Sequence, residues 1–140
     1  MLRKNWLLGI VLTILTMLFM VGCGAKQAEN NETQVFENAS IIGTGDITFT
    51  LTIVDENKAE TVLTINTDKK TVGEALQDNK LVAGKKDNFG LYIKTVNGIT
   101  ADYDKDGVYW AFYVNGEYSP TGVDFTEIVP EAEYSLRVER

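Results

Sequence analysis

Asp102, Asp104 and Asp106, followed by Gly107, set oxygen ligands at alternate positions ahead of a turn glycine, which is the pattern of the first half of a calcium loop. The second half departs from it, because the bidentate Glu needed at the twelfth loop position falls at Tyr113. A tight, exposed connection between strands demands the same residue types. A solvated turn is therefore the favoured reading, with a weak calcium site on Asp102, Asp104 and Asp106 as the alternative. A second group is aromatic: Tyr92, Tyr103, Tyr109, Trp110, Phe112, Tyr113, Tyr118 and Phe125 crowd into one third of the chain. Aromatic rings with polar handles are favoured at contact surfaces, and they also fill cores and brace neighbouring strands. Catalytic means are scarce. The 140 residues include no His and one Cys, which removes the commonest general base and excludes disulfide frameworks and Cys-rich zinc sites. Glu127, Glu131, Glu133 and Glu139 read as a solvated face without a partner base or nucleophile. Glycoside hydrolysis by a carboxylate pair asks for a deep cleft on a larger scaffold. The expectation is a protein that is not an enzyme and carries no cofactor.

The elements that must position these residues are short and alternating. Along 108–114, Val108, Trp110, Phe112 and Val114 share one face and Tyr109, Ala111 and Tyr113 the other, so only one set can face a core. Trp110 and Phe112 are assigned inward. Tyr109 and Tyr113, joined by Tyr118 beyond the Asn115-Gly116 turn, form the candidate contact patch. Because a slip of one residue would exchange the faces, the candidate binding set is Tyr109, Trp110, Tyr113, Asn115, Tyr118 and Gly122. Cross-strand bracing is the competing reading of the same tyrosines.

Period-two alternation with β-branched residues predicts strands over 47–54, 62–67, 91–96, 108–114 and 134–138, with Asn-Gly turns at Asn97-Gly98 and Asn115-Gly116. Thr71 reads as a helix N-cap with Glu74 closing a capping box, and the helix should end near Asn79 or Lys80, before Gly84 and a charged turn over 85–88. About five strands and one helix covering an apolar face predict an α+β, β-grasp-like domain over 44–140, with Trp110, Phe112 and Leu63 buried.

The first 22 residues read as a targeting segment. Arg3 and Lys4 precede fifteen uncharged positions from Trp6 to Met20, the upper length of a signal h-region and short of the roughly 20 a spanning helix needs. Met20-Val21-Gly22-Cys23 resembles the lipobox of bacterial lipoproteins, in which the peptide is cut before a Cys that is diacylated. That resemblance implies lipidation at Cys23 and a place on the extracytoplasmic face of the cell membrane. The alternative is an ordinary signal peptide or membrane anchor with a chance Cys. Residues 23–43 are polar and Asn/Glu-rich and predict a disordered linker. The formal charge is −7 with the leader, and losing Arg3 and Lys4 deepens it to −9. No nucleic-acid partner is expected of so acidic a chain, and a single domain of this size is expected to be a monomer.

Val96-Asn97-Gly98-Ile99, Gly107-Val108-Tyr109-Trp110, Tyr113-Val114-Asn115-Gly116 and Gly122-Val123-Asp124-Phe125, with the helix start Thr71-Val72-Gly73-Glu74-Ala75-Leu76, resemble the transcobalamin-like C-terminal domain family. The family includes the small β-rich domain of the vitamin B12 carriers and many bacterial lipoproteins. The chain lacks the helical barrel of the animal carriers. What the resemblance implies is the fold and, through it, a non-catalytic domain that captures a cobalamin-like or other small ligand for a membrane importer. The alternative is a surface protein-interaction or cell-wall-binding module that uses the aromatic face.

Overall fold

The computed structural model describes residues 32–140. The leader and Cys23 lie outside the described residues. Nine strands form two sheets: β1 (Ile41–Gly43), β2 (Ile47–Val54), β3 (Glu60–Thr67), β7 (Tyr109–Val114), β8 (Glu117–Tyr118) and β9 (Glu133–Glu139) in the larger, and β4 (Val82–Asp87), β5 (Gly90–Val96) and β6 (Ile99–Thr100) in the smaller. The order across the larger sheet is β1-β3-β2-β9-β7-β8, with β1 parallel to β3 and β2 parallel to β9 amid antiparallel pairs.

This corrects the predicted class. The domain is a mostly-β sandwich rather than an α+β β-grasp domain. The helix α1 (Val72–Asp78) has only seven residues, and the second sheet joins it in closing the core through Val82, Ile93 and Val96. The five predicted strands are all present, but β1, β4, β6 and β8 were not legible. β4 has the sequence VAGKKD, with exposed lysines and a bulge between Ala83 and Gly84 in place of apolar alternation. Such features blunt a strand at a sheet edge, and here they also read as the charged turn that was predicted. That turn lies one step later, between Asp87 and Gly90.

Inward alternation builds the core. Phe49, Leu51 and Ile53 of β2, Leu63 and Ile65 of β3, Trp110 and Phe112 of β7, and Tyr134, Leu136 and Val138 of β9 meet Val72, Ala75 and Leu76 of α1 and Ile93 and Val96 of β5. Tyr134 is fully buried between Phe49, edge-on at 5.3 Å, and Phe112, stacked at 6.0 Å. Its hydroxyl accepts from the Val129 N–H at 2.9 Å and reaches the Glu127 carbonyl at 3.4 Å, so burying it leaves no orphan polar atom.

α1 starts as the sequence predicts. The Thr71 hydroxyl accepts from the Glu74 N–H at 3.2 Å, and the Glu74 carboxylate accepts from the Thr71 and Lys70 N–H groups, each at 3.2 Å. Those backbone donors hold the Glu74 carboxyl below the usual carboxylate range.

The part of the predicted linker from residue 33 onward is bonded to the fold. The Asn97 side chain accepts from the Phe36 N–H at 2.7 Å and donates to the Phe36 carbonyl at 3.0 Å, copying one rung of a strand ladder. Gln34 N–H bonds the Lys80 carbonyl, and Ala39 N–H bonds the Val62 carbonyl, each at 2.8 Å. Residues 41–43 then pair with β3. Local pattern gave no sign of this, since each bond is to a distant residue.

Candidate functional site

Strand register decides which aromatic rings share a surface. On the outer face of the larger sheet, Tyr109 lies opposite Glu139, Ala111 opposite Arg137 and Tyr113 opposite Ser135, while Tyr113 also faces Tyr118 on β8. The next strand continues the face with Thr50 opposite Glu133, Thr52 opposite Ser135 and Val54 opposite Arg137.

Two tyrosine pairs stand on this face. Tyr113 and Tyr118 meet edge-on at 5.7 Å, and Tyr103 and Tyr109 meet at 6.4 Å with planes 70° apart. In each pair one ring is half-buried on β7, and its partner is largely exposed: 61% for Tyr118 and 59% for Tyr103. The Arg137 guanidinium lies 4.4 Å from the centre of the Tyr113 ring, a cation–π contact. Tyr113 donates its hydroxyl to the Glu139 carboxylate at 3.1 Å. Burial, reinforced by that carboxylate, pushes the Tyr113 phenol above its ordinary value. The face is therefore preorganised, and it is polar around its rings.

The other candidate residues fall elsewhere. Trp110 lies on the opposite, buried face, its indole N–H donating to the Lys94 carbonyl at 3.2 Å. Asn115 shapes its hairpin, since its φ of 47° and the 83° of Gly116 are the left-handed pair that a tight two-residue turn needs. Its side chain accepts from the Glu133 N–H at 3.1 Å. Gly122 caps the 3-10 turn Val123–Phe125, beyond the sheet.

Asp104 and Asp106 lie in a single helical turn, Tyr103–Asp106, rather than a loop, and Asp102 is its N-cap. Asp102 caps that turn by accepting from the Asp104 N–H at 3.1 Å, and its second oxygen faces the Lys94 ammonium at 3.9 Å. Gly107 ends the turn in the left-handed conformation. Alternate residues on a helix point about 200° apart, so Asp104 and Asp106 lie on opposite sides of the turn. Among the described residues, no group of three or more His, Cys, Asp or Glu is placed to hold a metal ion.

Sequence reading missed the role of Asp124. Its carboxylate accepts from Gln77 Nε2 and from the Leu91 N–H, each at 3.0 Å, and faces Lys86 at 3.9 Å. It thereby joins α1, β5 and β4. Gly73 is the complement, because a Cβ there would overlap the Asp124 carboxylate. Shallow depressions are found elsewhere; one of about 350 Å³ lies between Phe36, Ile41 and Lys80.

Fold and face together describe a small β-sandwich domain with an open tyrosine surface. The chain is 30% identical to a "putative metal binding protein" from Ruminococcus gnavus ATCC 29149, with a TM-score of 0.64 over 68% of this chain and 98% of that one. It belongs to the same family as that protein. Residues 69–133 match the family described as Domain of unknown function (DUF4430). Haptocorrin in complex with Cbi is similar at 17% identity and a TM-score of 0.49, over 71% of this chain and 26% of that one. No curated protein matches the chain.

Proposed function

We propose that this chain is a lipid-anchored, extracytoplasmic domain that binds without catalysing, and that it binds through the outer face carrying Tyr103, Tyr109, Tyr113 and Tyr118. The observation that carries this reading is the pairing itself: two half-buried tyrosines each fix an exposed one, so ring surface is presented in set positions at low entropic cost. Anchoring through Cys23 rests on the lipobox resemblance. Two acyl chains hold a protein at a bilayer far more firmly than one. The motif resemblance to the transcobalamin-like family favours capture of a planar small ligand for an importer. The openness of the face favours the other reading, a surface module, because small-molecule sites usually enclose most of their ligand. Calcium held by Asp102, Asp104 and Asp106 is the reading nearest to the name of the Ruminococcus relative, and the opposed directions of Asp104 and Asp106 weigh against it.

Hydroxyl-radical footprinting of tyrosines on intact cells tests the proposal. Tyr109 and Tyr118 should be labelled less on cells than in the purified full-length protein, and Cys23→Ala, released from the membrane, should lose that protection. Equal labelling in all three would overturn the reading. Cyanocobalamin added to the purified protein should protect the same rings only if the ligand is corrinoid-like.

A further inference from the structure

We infer that Asn115 is a modification site: it converts spontaneously to isoaspartate, and the product loosens the Tyr113–Tyr118 pair. This holds whatever the tyrosine face binds. The chain has two Asn-Gly pairs, Asn97-Gly98 and Asn115-Gly116. Each is the centre of a two-residue hairpin turn, and their backbones match, with φ of 49° and 80° in the first and 47° and 83° in the second. Glycine after asparagine favours the reaction, because no Cβ shields the attacking nitrogen. Sequence and backbone therefore give both turns the same chemistry, and their surroundings separate them.

Asn97 is buried and held at its reacting atoms. Its side-chain oxygen accepts from the Phe36 N–H at 2.7 Å and its side-chain nitrogen donates to the Phe36 carbonyl at 3.0 Å. The Gly98 N–H, whose nitrogen would attack, donates to the Thr33 hydroxyl at 2.7 Å. Asn115 and Gly116 are both exposed. Among the described residues no hydrogen bond engages the Asn115 side-chain nitrogen or the Gly116 N–H. The one side-chain bond is from the Glu133 N–H to Asn115 Oδ1 at 3.1 Å, a donor placed where negative charge develops as Cγ is attacked. β8, beyond the turn, has two residues and lies at the sheet edge, so the turn opens locally at small cost.

The reaction consumes only water. The Gly116 nitrogen gives its proton to solvent and bonds to Asn115 Cγ, the Cγ–Nδ2 bond breaks, and ammonia leaves a five-membered imide. Water then opens the imide. Opening at the Asn115 main-chain carbonyl yields isoaspartate, in which the backbone runs through Cβ and Cγ and is one carbon longer. The turn that sets the register of β7 on β8 is thereby altered, and Tyr118, opposite Tyr113 in that register, loses its edge-on contact.

Incubation of the purified full-length protein at mildly alkaline pH, native and in urea, tests this by peptide mapping with fragmentation that separates isoaspartate from aspartate. In the native protein isoaspartate should form at Asn115 at least about tenfold faster than at Asn97, and in urea the two rates should converge. Equal native rates, or no isoaspartate at Asn115 while the denatured chain converts, would overturn the inference. Tyr113 should be labelled more by hydroxyl radicals in the isoaspartyl form than in freshly purified Asn115→Asp, which carries the same charge on an unaltered backbone. Equal labelling would refute the loosening of the pair.

Discussion

Gly73 shows how residue-level rules compete. A glycine inside a helix costs about 1 kcal/mol relative to alanine, so propensity alone predicts that Gly73→Ala stabilises the protein. Packing predicts the opposite, because the added methyl would overlap the Asp124 carboxylate and also crowd its backbone. Asp124 cannot yield freely: its oxygens satisfy Gln77 and the Leu91 N–H. Overpacking costs typically 1–3 kcal/mol, and strained hydrogen bonds add to it. We expect Gly73→Ala to lower the thermal midpoint, and a melt with an unchanged or raised midpoint would refute the packing account. The two motifs that carry the family resemblance, around Gly73 and around Asp124, thus meet in space as a structural joint.

At the scale of elements, α1 is too short to be stable alone, since isolated helices below about 12–15 residues are marginal in water. It depends on its cap and on the apolar face of Val72, Ala75 and Leu76. Thr71→Ala should cost about 1 kcal/mol, the usual loss for such a cap, as read from chemical denaturation. The pH dependence follows from Glu74. Its folded-state carboxyl is held below the unfolded value, so its contribution is present above the unfolded value and lost as pH falls through the folded one. Stability measured downward from neutral pH should decline more steeply in the wild type than in Glu74→Gln through the acidic carboxylate range. Parallel curves would show that the capping box does not couple to protonation.

The molecule as a whole is held together by contacts between distant segments. Residues 33–43 bond to Lys80 just beyond α1, to β3 and to the β5–β6 turn, so of the predicted linker only residues 23–31 lie outside the described part. Asn97→Ala would strip both partners from the Phe36 backbone. Leaving such groups unsatisfied costs on the order of 1–3 kcal/mol each when buried, and Phe36 is half-buried. Amide hydrogen exchange should then speed up at residues 34–36 while β2 and β9 remain protected. Uniform acceleration across the domain would instead mark Asn97 as part of the global core, and no change would show that the strap is not held by this side chain.

The sequence by itself determined the features that depend on nearest neighbours: the five alternating strands, the Thr71 cap, the two Asn-Gly hairpins, and the inward Trp110 and Phe112 set against outward Tyr109 and Tyr113. Each follows from a period, a cap or a turn whose partners lie within a few residues. Only the tertiary structure decided the rest. It closed the core with a second sheet, because β4 and the edge strands are specified by pairing rather than by alternation. It turned the Asp104 carboxylate away from that of Asp106, because the segment winds into a helical turn between Asp102 and Gly107. It also bonded the segment from residue 33 to the domain, and it brought Tyr103 against Tyr109 and Arg137 onto Tyr113. Those contacts cross between separate segments, and no local pattern encodes which distant strand will lie beside which.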